Sequence, residues 1–177
     1  MDRVCSEKEI IELQLRRKVE NVFVNVKKCT WGYPQVIRSS PIKNNKPFPT
    51  MFWLTCPLLY KSVSRMEEKG MIKYFEERLR KDQKMKESFL KAHESTQKLR
   101  KKLTPEKAPS WIHKELLNKG IGGTKNLLSV KCLHLQLANY LGGIDNPIGK
   151  ELWKSIGIKN CPKKDILCEK LMNNDSK

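Results

Sequence analysis

The side chains in this sequence best suited to bind a metal or attack an electrophile are its six cysteines. Cys56 and Cys161 are each followed by proline, an arrangement found at iron–sulfur and zinc ligands, because proline turns the chain and leaves no N–H group to satisfy. The pattern predicts a four-thiolate site for zinc or an iron–sulfur cluster. The expected ligands are Cys29, Cys56, Cys132 and Cys161, with His134 as an alternative.

The charge around three of these cysteines favours the reactive thiolate form. Cys29 and Cys56 lie in segment 21–66 and Cys132 lies in segment 116–144, and neither segment contains an acidic residue. If the two segments meet in the fold, the cysteines share a positive potential that lowers the pKa of a thiol. No Cys-x-x-Cys pair is present, so packed thiols with nothing bound are the alternative interpretation.

A metal-free enzyme is a further alternative, with Cys132 as the nucleophile and His93 as its general base. His134 is nearer in sequence, but the apolar pattern predicts a helix over residues 126–141. Side chains two positions apart on a helix differ by about 200° in direction. Cys132 and His134 therefore converge only if the helix starts at Cys132 or later. On the longer helix, His134 is expected to be a hydrogen-bonded core residue.

The excess of positive charge predicts a polyanionic partner. The chain has 36 Lys and Arg residues against 19 Asp and Glu residues, a net charge of +17. This excess suits RNA or polyphosphate, and a lysine-rich surface without a ligand is the alternative. The glycine-rich segment 120–123 could present amide groups to phosphate, although it lacks the Lys-Ser/Thr ending of a P-loop. The candidate anion-binding residues are Arg38, Lys46, Arg65, Gly122, Gly123 and Lys131.

An α+β fold must position these residues. Alternating apolar residues predict a small N-terminal three-stranded sheet, and helical periodicity predicts an N-terminal helix and about six helices packed with the sheet. The expected strands are 21–28, 35–38 and 50–55. The expected helices are 7–19, 57–70, 72–81, 82–103, 111–119, 126–141, 147–156 and 163–172.

The length predicts one domain over residues 1–177. Within it we expect an N-terminal helix in 1–20, a motif-bearing part at about 22–150 and a C-terminal helical extension at 151–177. The longest apolar run, Met51 to Tyr60, is far shorter than the ~20 residues that cross a bilayer. The sequence therefore predicts a cytoplasmic protein without a membrane span, with reduced cysteines.

Short motifs along the chain are similar to those of a known family. They are Cys29-Thr-Trp-Gly-Tyr-Pro34, Pro47-Phe-Pro-Thr-Met-Phe-Trp-Leu-Thr-Cys-Pro57, His93-Glu-Ser95, Gly122-Gly123 with Val130-Lys-Cys-Leu-His134, and Asn146-Pro-Ile-Gly149. In this order and spacing the chain resembles the bacterial family called domain of unknown function 501, over about residues 22–150. The resemblance implies that His93, His134 and three of the cysteines belong to a shared motif. Cys5, Cys161 and Cys168 lie outside it.

These observations lead to one hypothesis and two alternatives. The first is a basic protein with a cysteine-ligated zinc or iron–sulfur site that binds a phosphate-bearing partner, RNA or polyphosphate. The second is the thiol-dependent enzyme that uses Cys132. The third is a binding or scaffold protein whose thiols are only packed.

Overall fold

The computed structural model describes residues 5–174 and confirms the predicted α+β architecture. Seven helices follow the sheet, one overlapping each of the seven segments expected there, and none of the helices described combines the length and apolar composition needed to cross a membrane. The helices are α1 (Glu7–Leu15), α2 (Pro57–Glu68), α3 (Met71–Lys81), α4 (Gln83–Leu103), α5 (Ser110–Leu117), α6 (Leu133–Leu141), α7 (Pro147–Ser155) and α8 (Leu167–Asn174). A 3-10 turn covers Ile121–Gly123.

Three antiparallel strands form the N-terminal sheet in the order β1–β2–β5. The central strand, β2, is buried along most of its length, because its neighbours and the helices cover it. A separate hairpin of two-residue strands, β3–β4, forms between β2 and β5 and was not among the expected strands. The strands are β1 (Phe23–Lys28), β2 (Pro34–Ser39), β3 (Ile42–Lys43), β4 (Lys46–Pro47) and β5 (Phe52–Leu54).

Helix α6 lies at the centre of the helical part and contacts β5, α2 and α7. Its residues Leu133 and Leu137 are fully buried in the main core. The α7 crossing is close at Gly149, where an added Cβ atom would lie 2.3 Å from the carbonyl oxygen of Gln136. A larger residue at Gly149 would push the two helices apart.

The predicted helix over 126–141 is wrong at its start, since α6 begins only at Leu133. Asn126 interrupts the helical pattern because its side-chain oxygen accepts a hydrogen bond from the amide of Leu128 at 3.0 Å, a local turn that competes with a helix. Cys132 is extended, with φ −163° and ψ 156°, and occupies the N-cap position. The cysteine is therefore outside the helix.

Two glutamates from other helices hold this extended segment in place. Glu76 of α3 accepts a hydrogen bond from the amide of Val130 at 2.9 Å. Glu67 of α2 accepts one from the amide of Leu133 at 2.6 Å. Carboxylates bound to amides at a helix start are stabilised by the positive end of the helix dipole. The start of α6 is thus determined by tertiary contacts.

Arg100 of α4 is fully buried and is bound by backbone carbonyls. Its guanidinium donates to the carbonyl oxygens of Leu116, Lys119 and Gly120, which end α5 and begin the glycine-rich segment. Burial lowers the pKa of Arg100 to about 10, a value that leaves it charged at neutral pH. This arginine therefore fixes the α5 end against α4.

Replacing Arg100 with Met should lower the free energy of unfolding by about 2 kcal/mol, because the buried carbonyl oxygen of Leu116 loses its donor, whereas those of Lys119 and Gly120 each keep a second donor, the side chain of Gln97 and the amide of Gly123. Urea unfolding followed by circular dichroism measures the change. Arg80→Met on the exposed face of α3 is the matched control and should change stability by less than about 0.5 kcal/mol. Equal effects of the two substitutions would contradict the bridging role of Arg100.

Candidate functional site

A surface groove of about 1,040 Å³ lies where the end of α1, strand β5, helices α2 and α8 and the start of α6 meet. Its volume is at the upper end of the range found for small-molecule and cofactor sites. The walls carry the half-buried ring of Trp53 from β5 and the exposed ring of Tyr60 from α2. The groove is therefore the described cavity with most room for a ligand.

Three side chains that can bind a metal converge at one wall of the groove. They are Glu67 near the end of α2, Cys132 before α6, and His134 in the first turn of α6. One ligand atom of each lies within 4.8 Å of the other two, and residues 5–174 contain no other such group of three. Cys132 and His134 converge because α6 starts after Cys132. The sequence predicted that they could converge only if the helix started at Cys132 or later.

Both ring nitrogens of His134 have partners. Nδ1 lies 3.2 Å from Oε1 of Glu67, and Nε2 lies 3.2 Å from both the carbonyl oxygen of Tyr60 and Oγ of Ser64. The side chain is 15% exposed. His134 is hydrogen-bonded as expected, but it lies at the groove wall and not in the core. If Nε2 of a neutral ring donates its hydrogen to the carbonyl oxygen of Tyr60, then Nδ1 has a lone pair that can bind a metal, whereas Nδ1 pairs with Glu67 only when it carries a hydrogen itself.

Burial raises the pKa of the Cys132 thiol above its usual range. The amide groups of Leu135 and His134 lower it, although neither meets the geometry of a hydrogen bond to the thiol, and the charge of Lys131 lowers it slightly. Glu67 has the opposite effect, because a nearby carboxylate disfavours a second negative charge. At neutral pH Cys132 is therefore a protonated thiol unless a cation binds beside it.

The rest of the groove is strongly basic. Glu67 is its one acidic residue, against five basic ones: Arg16, Arg17, Lys61, Lys131 and Lys170. Arg17 stacks on the Trp53 ring at 4.6 Å, and Lys170 pairs with Asp165. Within the described part of the chain, Arg16 and Lys61 form no ion pair, so their charges are available to an anion.

The structure separates the four predicted thiolate ligands. Cys29, Cys56 and Cys161 line a second, much smaller cavity, whereas Cys132 lines the groove. Cys168, which the sequence did not identify as a ligand, joins the first three. No three of these sulfur atoms lie within 4.8 Å of one another among residues 5–174.

His93, the general base of the thiol-enzyme alternative, is buried away from both cavities. Its Nδ1 accepts a hydrogen bond from the amide of Ile121 at 2.9 Å, and its ring meets Phe89 edge-on. Gly120 touches the ring, and a Cβ atom there would lie 2.3 Å from Nδ1. Burial lowers the pKa of His93 to about 4, helped by the charge of Arg100. These contacts describe a structural histidine.

The six predicted anion-binding residues do not form one surface. Lys131 lines the groove and donates to the carbonyl oxygen of Gly122 at 3.2 Å. Gly122 is buried, while Lys46 and Arg65 are exposed elsewhere on β4 and α2. The other two candidates, Arg38 and Gly123, are likewise absent from the groove walls.

Sequence reasoning missed Glu67 and Arg16 as groove residues, and it missed Ser64 as a partner of His134. The helix containing Glu67 and Ser64 was predicted, but it carries charged residues on several faces, so its periodicity selects no single carboxylate. Arg16 was not identified as a groove residue because the first helix was predicted to extend to residue 19, whereas α1 ends at Leu15. Arg16 adopts a left-handed conformation there, with φ 53°.

Comparison with protein families agrees with the motif pattern. The family model described as "Protein of unknown function (DUF501)" matches residues 25–154, close to the span of 22–150 expected from the motifs. The chain belongs to this family. No curated protein and no solved structure matches it. The matched region of this DUF501 protein includes Glu67, Cys132 and His134, and it ends before Cys161.

The buried state of His93 predicts a specific loss of stability in acid. Its pKa of about 4 in the folded protein lies below the ordinary histidine value of 6.5, so its contribution to stability is complete above pH 6.5 and is lost as the pH falls towards 4. Between pH 7 and pH 5 the free energy of unfolding should fall by about 2 kcal/mol from this group. His93→Gln should flatten that part of the profile in urea titrations, and His113→Gln should leave it unchanged. An identical profile for the His93 variant would rule out the assignment.

Proposed function

We propose that this protein binds a zinc ion through Glu67, Cys132 and His134, and that the zinc and the surrounding cations hold a phosphate-bearing ligand in the groove. One observation carries the proposal: a carboxylate, a thiol and an imidazole lie within 4.8 Å of one another beside a groove lined by five basic residues. Mixed oxygen, sulfur and nitrogen donors suit zinc, and three protein ligands leave a fourth position open. A phosphate oxygen can fill that position.

The hydrogen bonds of His134 support zinc binding. Two nitrogen or oxygen ligands of a tetrahedral zinc ion lie about 3.4 Å apart. The distance from Nδ1 of His134 to Oε1 of Glu67 is 3.2 Å, so both atoms need to move little. A histidine that binds a metal usually donates its other N–H group to a carbonyl or carboxylate. The carbonyl oxygen of Tyr60 is placed to accept it.

The environment of Cys132 favours metal binding over metal-free thiol chemistry. Burial and Glu67 both disfavour a free thiolate. A bound cation reverses this preference, because its charge stabilises the thiolate and the carboxylate together. The buried position of Cys132 and the neighbouring Glu67 carboxylate make Cys132 a poor nucleophile when no metal is bound. The same two features favour zinc binding.

The groove walls favour RNA over polyphosphate as the phosphate-bearing ligand. Arg16 and Lys61 provide charges for phosphate groups. Tyr60 is 52% exposed and its ring lies 4.1 Å from the His134 ring, which leaves an aromatic face beside the proposed metal. Exposed aromatic rings next to basic side chains stack unpaired bases. Polyphosphate has no base that could stack on the Tyr60 ring.

Removing one ligand should lower the affinity for zinc. Cys132→Ser and His134→Gln should each weaken zinc binding at this site by about 100-fold or more, since even residues outside the ligand set change metal affinity by 10- to 100-fold. Competition with a chromophoric chelator measures the affinity of the reduced, metal-stripped protein. Cys5→Ser is the control, because Cys5 lines neither cavity. Unchanged zinc binding by Cys132→Ser, or rapid alkylation of Cys132 alone at pH 7, would refute the proposal.

Two groove variants test the ligand. Arg16→Ala with Lys61→Ala should reduce the salt dependence of single-stranded RNA binding by about 1.4 in log–log slope, the effect of two lost phosphate contacts. Tyr60→Leu should weaken RNA binding about 10-fold and leave polyphosphate binding unchanged, because only RNA stacks. Fluorescence anisotropy at several salt concentrations measures both. The control is the double variant Lys84→Ala with Lys101→Ala, which removes two positive charges that lie outside the groove. If this control pair has the same effect, then binding is not localised to the groove.

A further inference from the structure

Four cysteines outside the groove surround one small cavity. Its volume is about 10 Å³, roughly enough for one water molecule or one metal ion. No carboxylate and no histidine lines it. The thiols are those of Cys29, Cys56, Cys161 and Cys168.

These four cysteines come from separate parts of the fold. Cys29 begins the turn between β1 and β2, where its carbonyl oxygen accepts from the amide of Gly32. Cys56 is the N-cap residue of α2, Cys168 lies in α8, and Cys161 lies in the loop before α8. Cys29, Cys56 and the C-terminal pair Cys161 and Cys168 are far apart in the sequence, so their meeting at one cavity is a result of the fold and not of local sequence.

Hydrogen bonds clamp the C-terminal loop onto the β1–β2 turn. The indole N–H of Trp31 donates to the carbonyl oxygen of Cys161 at 2.8 Å, and the amide of Thr30 donates to the side chain of Asn160 at 3.0 Å. Gln35 of β2 donates to the carbonyl oxygen of Lys159 at 2.9 Å. The backbone around the cavity is thus held in place independently of the sulfur atoms.

N–H groups also approach two of the sulfur atoms. Nε2 of Gln14 donates to Sγ of Cys168 at 3.2 Å. The amides of Leu58 and Leu59, in the first turn of α2, act to lower the pKa of Cys56, although neither makes a hydrogen bond to the thiol and burial raises this pKa overall. N–H donors of this kind surround metal-bound thiolates and stabilise their charge.

We propose that Cys29, Cys56, Cys161 and Cys168 form a tetrathiolate zinc site that fastens the C-terminal extension to the sheet. A set of four thiolates is typical of structural zinc, and the cavity is too small for an iron–sulfur cluster. Sulfur ligands of a tetrahedral zinc ion lie about 3.8 Å apart. No three of these sulfur atoms lie within 4.8 Å of one another here, so the side chains must rotate towards the cavity as they bind. Each thiol releases its proton to solvent on binding.

The site joins the family region to the rest of the chain. Cys29 and Cys56 lie within the matched residues 25–154, whereas Cys161 and Cys168 lie beyond them. The proposal does not depend on the groove site, since the two sets of ligands share no residue.

Cys132→Ser isolates the tetrathiolate site for testing. The reduced, metal-stripped variant should bind one zinc ion per chain, and cobalt in its place should give the strong sulfur-to-metal charge-transfer absorption of several thiolate ligands. Adding Cys161→Ser or Cys168→Ser should weaken zinc binding by about 100-fold or more. Adding Cys5→Ser should leave the affinity unchanged. If the groove proposal fails, wild type and Cys132→Ser will bind the same amount of zinc; if the tetrathiolate proposal fails, Cys132→Ser will bind none.

Alkylation followed by peptide mass spectrometry tests the same site without disrupting a ligand. In the Cys132→Ser variant, zinc should protect Cys29, Cys56, Cys161 and Cys168 from iodoacetamide and leave Cys5 reactive. Reactivity of any of the four in the presence of bound zinc would overturn the proposal. A disulfide between two of them in protein purified without reductant, with no zinc bound on reduction, would also overturn it.

Discussion

The candidate site depends on carboxylates that bind backbone amides across the fold. Glu67 and Glu76, on neighbouring helices, accept from the amides of Leu133 and Val130 and so determine where α6 begins. The first amides of any helix need an acceptor from outside the helix. Because Glu67 provides one, Cys132 stays extended and its thiol faces the same groove as the imidazole two residues later. One carboxylate therefore both positions the thiol and belongs to the proposed ligand set.

A buried polar network fixes the rotation of α6 about its axis. Asn139 donates to Oγ1 of Thr96 in α4, and Asn146 donates to the side chains of both Gln136 and Asn139. Asn146 also caps α7 by accepting from the amide of Gly149. Buried amides are costly unless they are satisfied, so only one orientation of the helix suits this set of partners. That orientation turns His134 towards the groove. The Asn146-Pro-Ile-Gly149 motif thus has a structural role away from the proposed metal ligands.

The parts of the fold that the sequence predicted well are those determined locally. Asp82 accepts from the amide of Met85 and starts α4 as expected, because capping needs only neighbouring residues. The start of α6 was mispredicted because its acceptors lie more than fifty residues away in the chain. The thiols divided between two cavities for the same reason. The sequence selected Cys29, Cys56, Cys132 and Cys161 as candidate ligands, but it does not indicate which sulfur atoms the helices bring together.

Helix α2 connects the two proposed sites. Cys56 precedes its first residue and Glu67 lies in its last turn, so the sites are about 17 Å apart along one rigid element. Helix α8 also belongs to both, since Cys168 lines the small cavity while Leu167 and Lys170 line the groove. Zinc bound by four thiolates at the small cavity would hold α8 in place and so stabilise one wall of the groove. Zinc bound by three protein ligands in the groove would keep a fourth coordination position open for a phosphate oxygen. In this arrangement α8, which lies beyond the matched residues 25–154, forms part of the groove wall but supplies no ligand to the zinc ion proposed there.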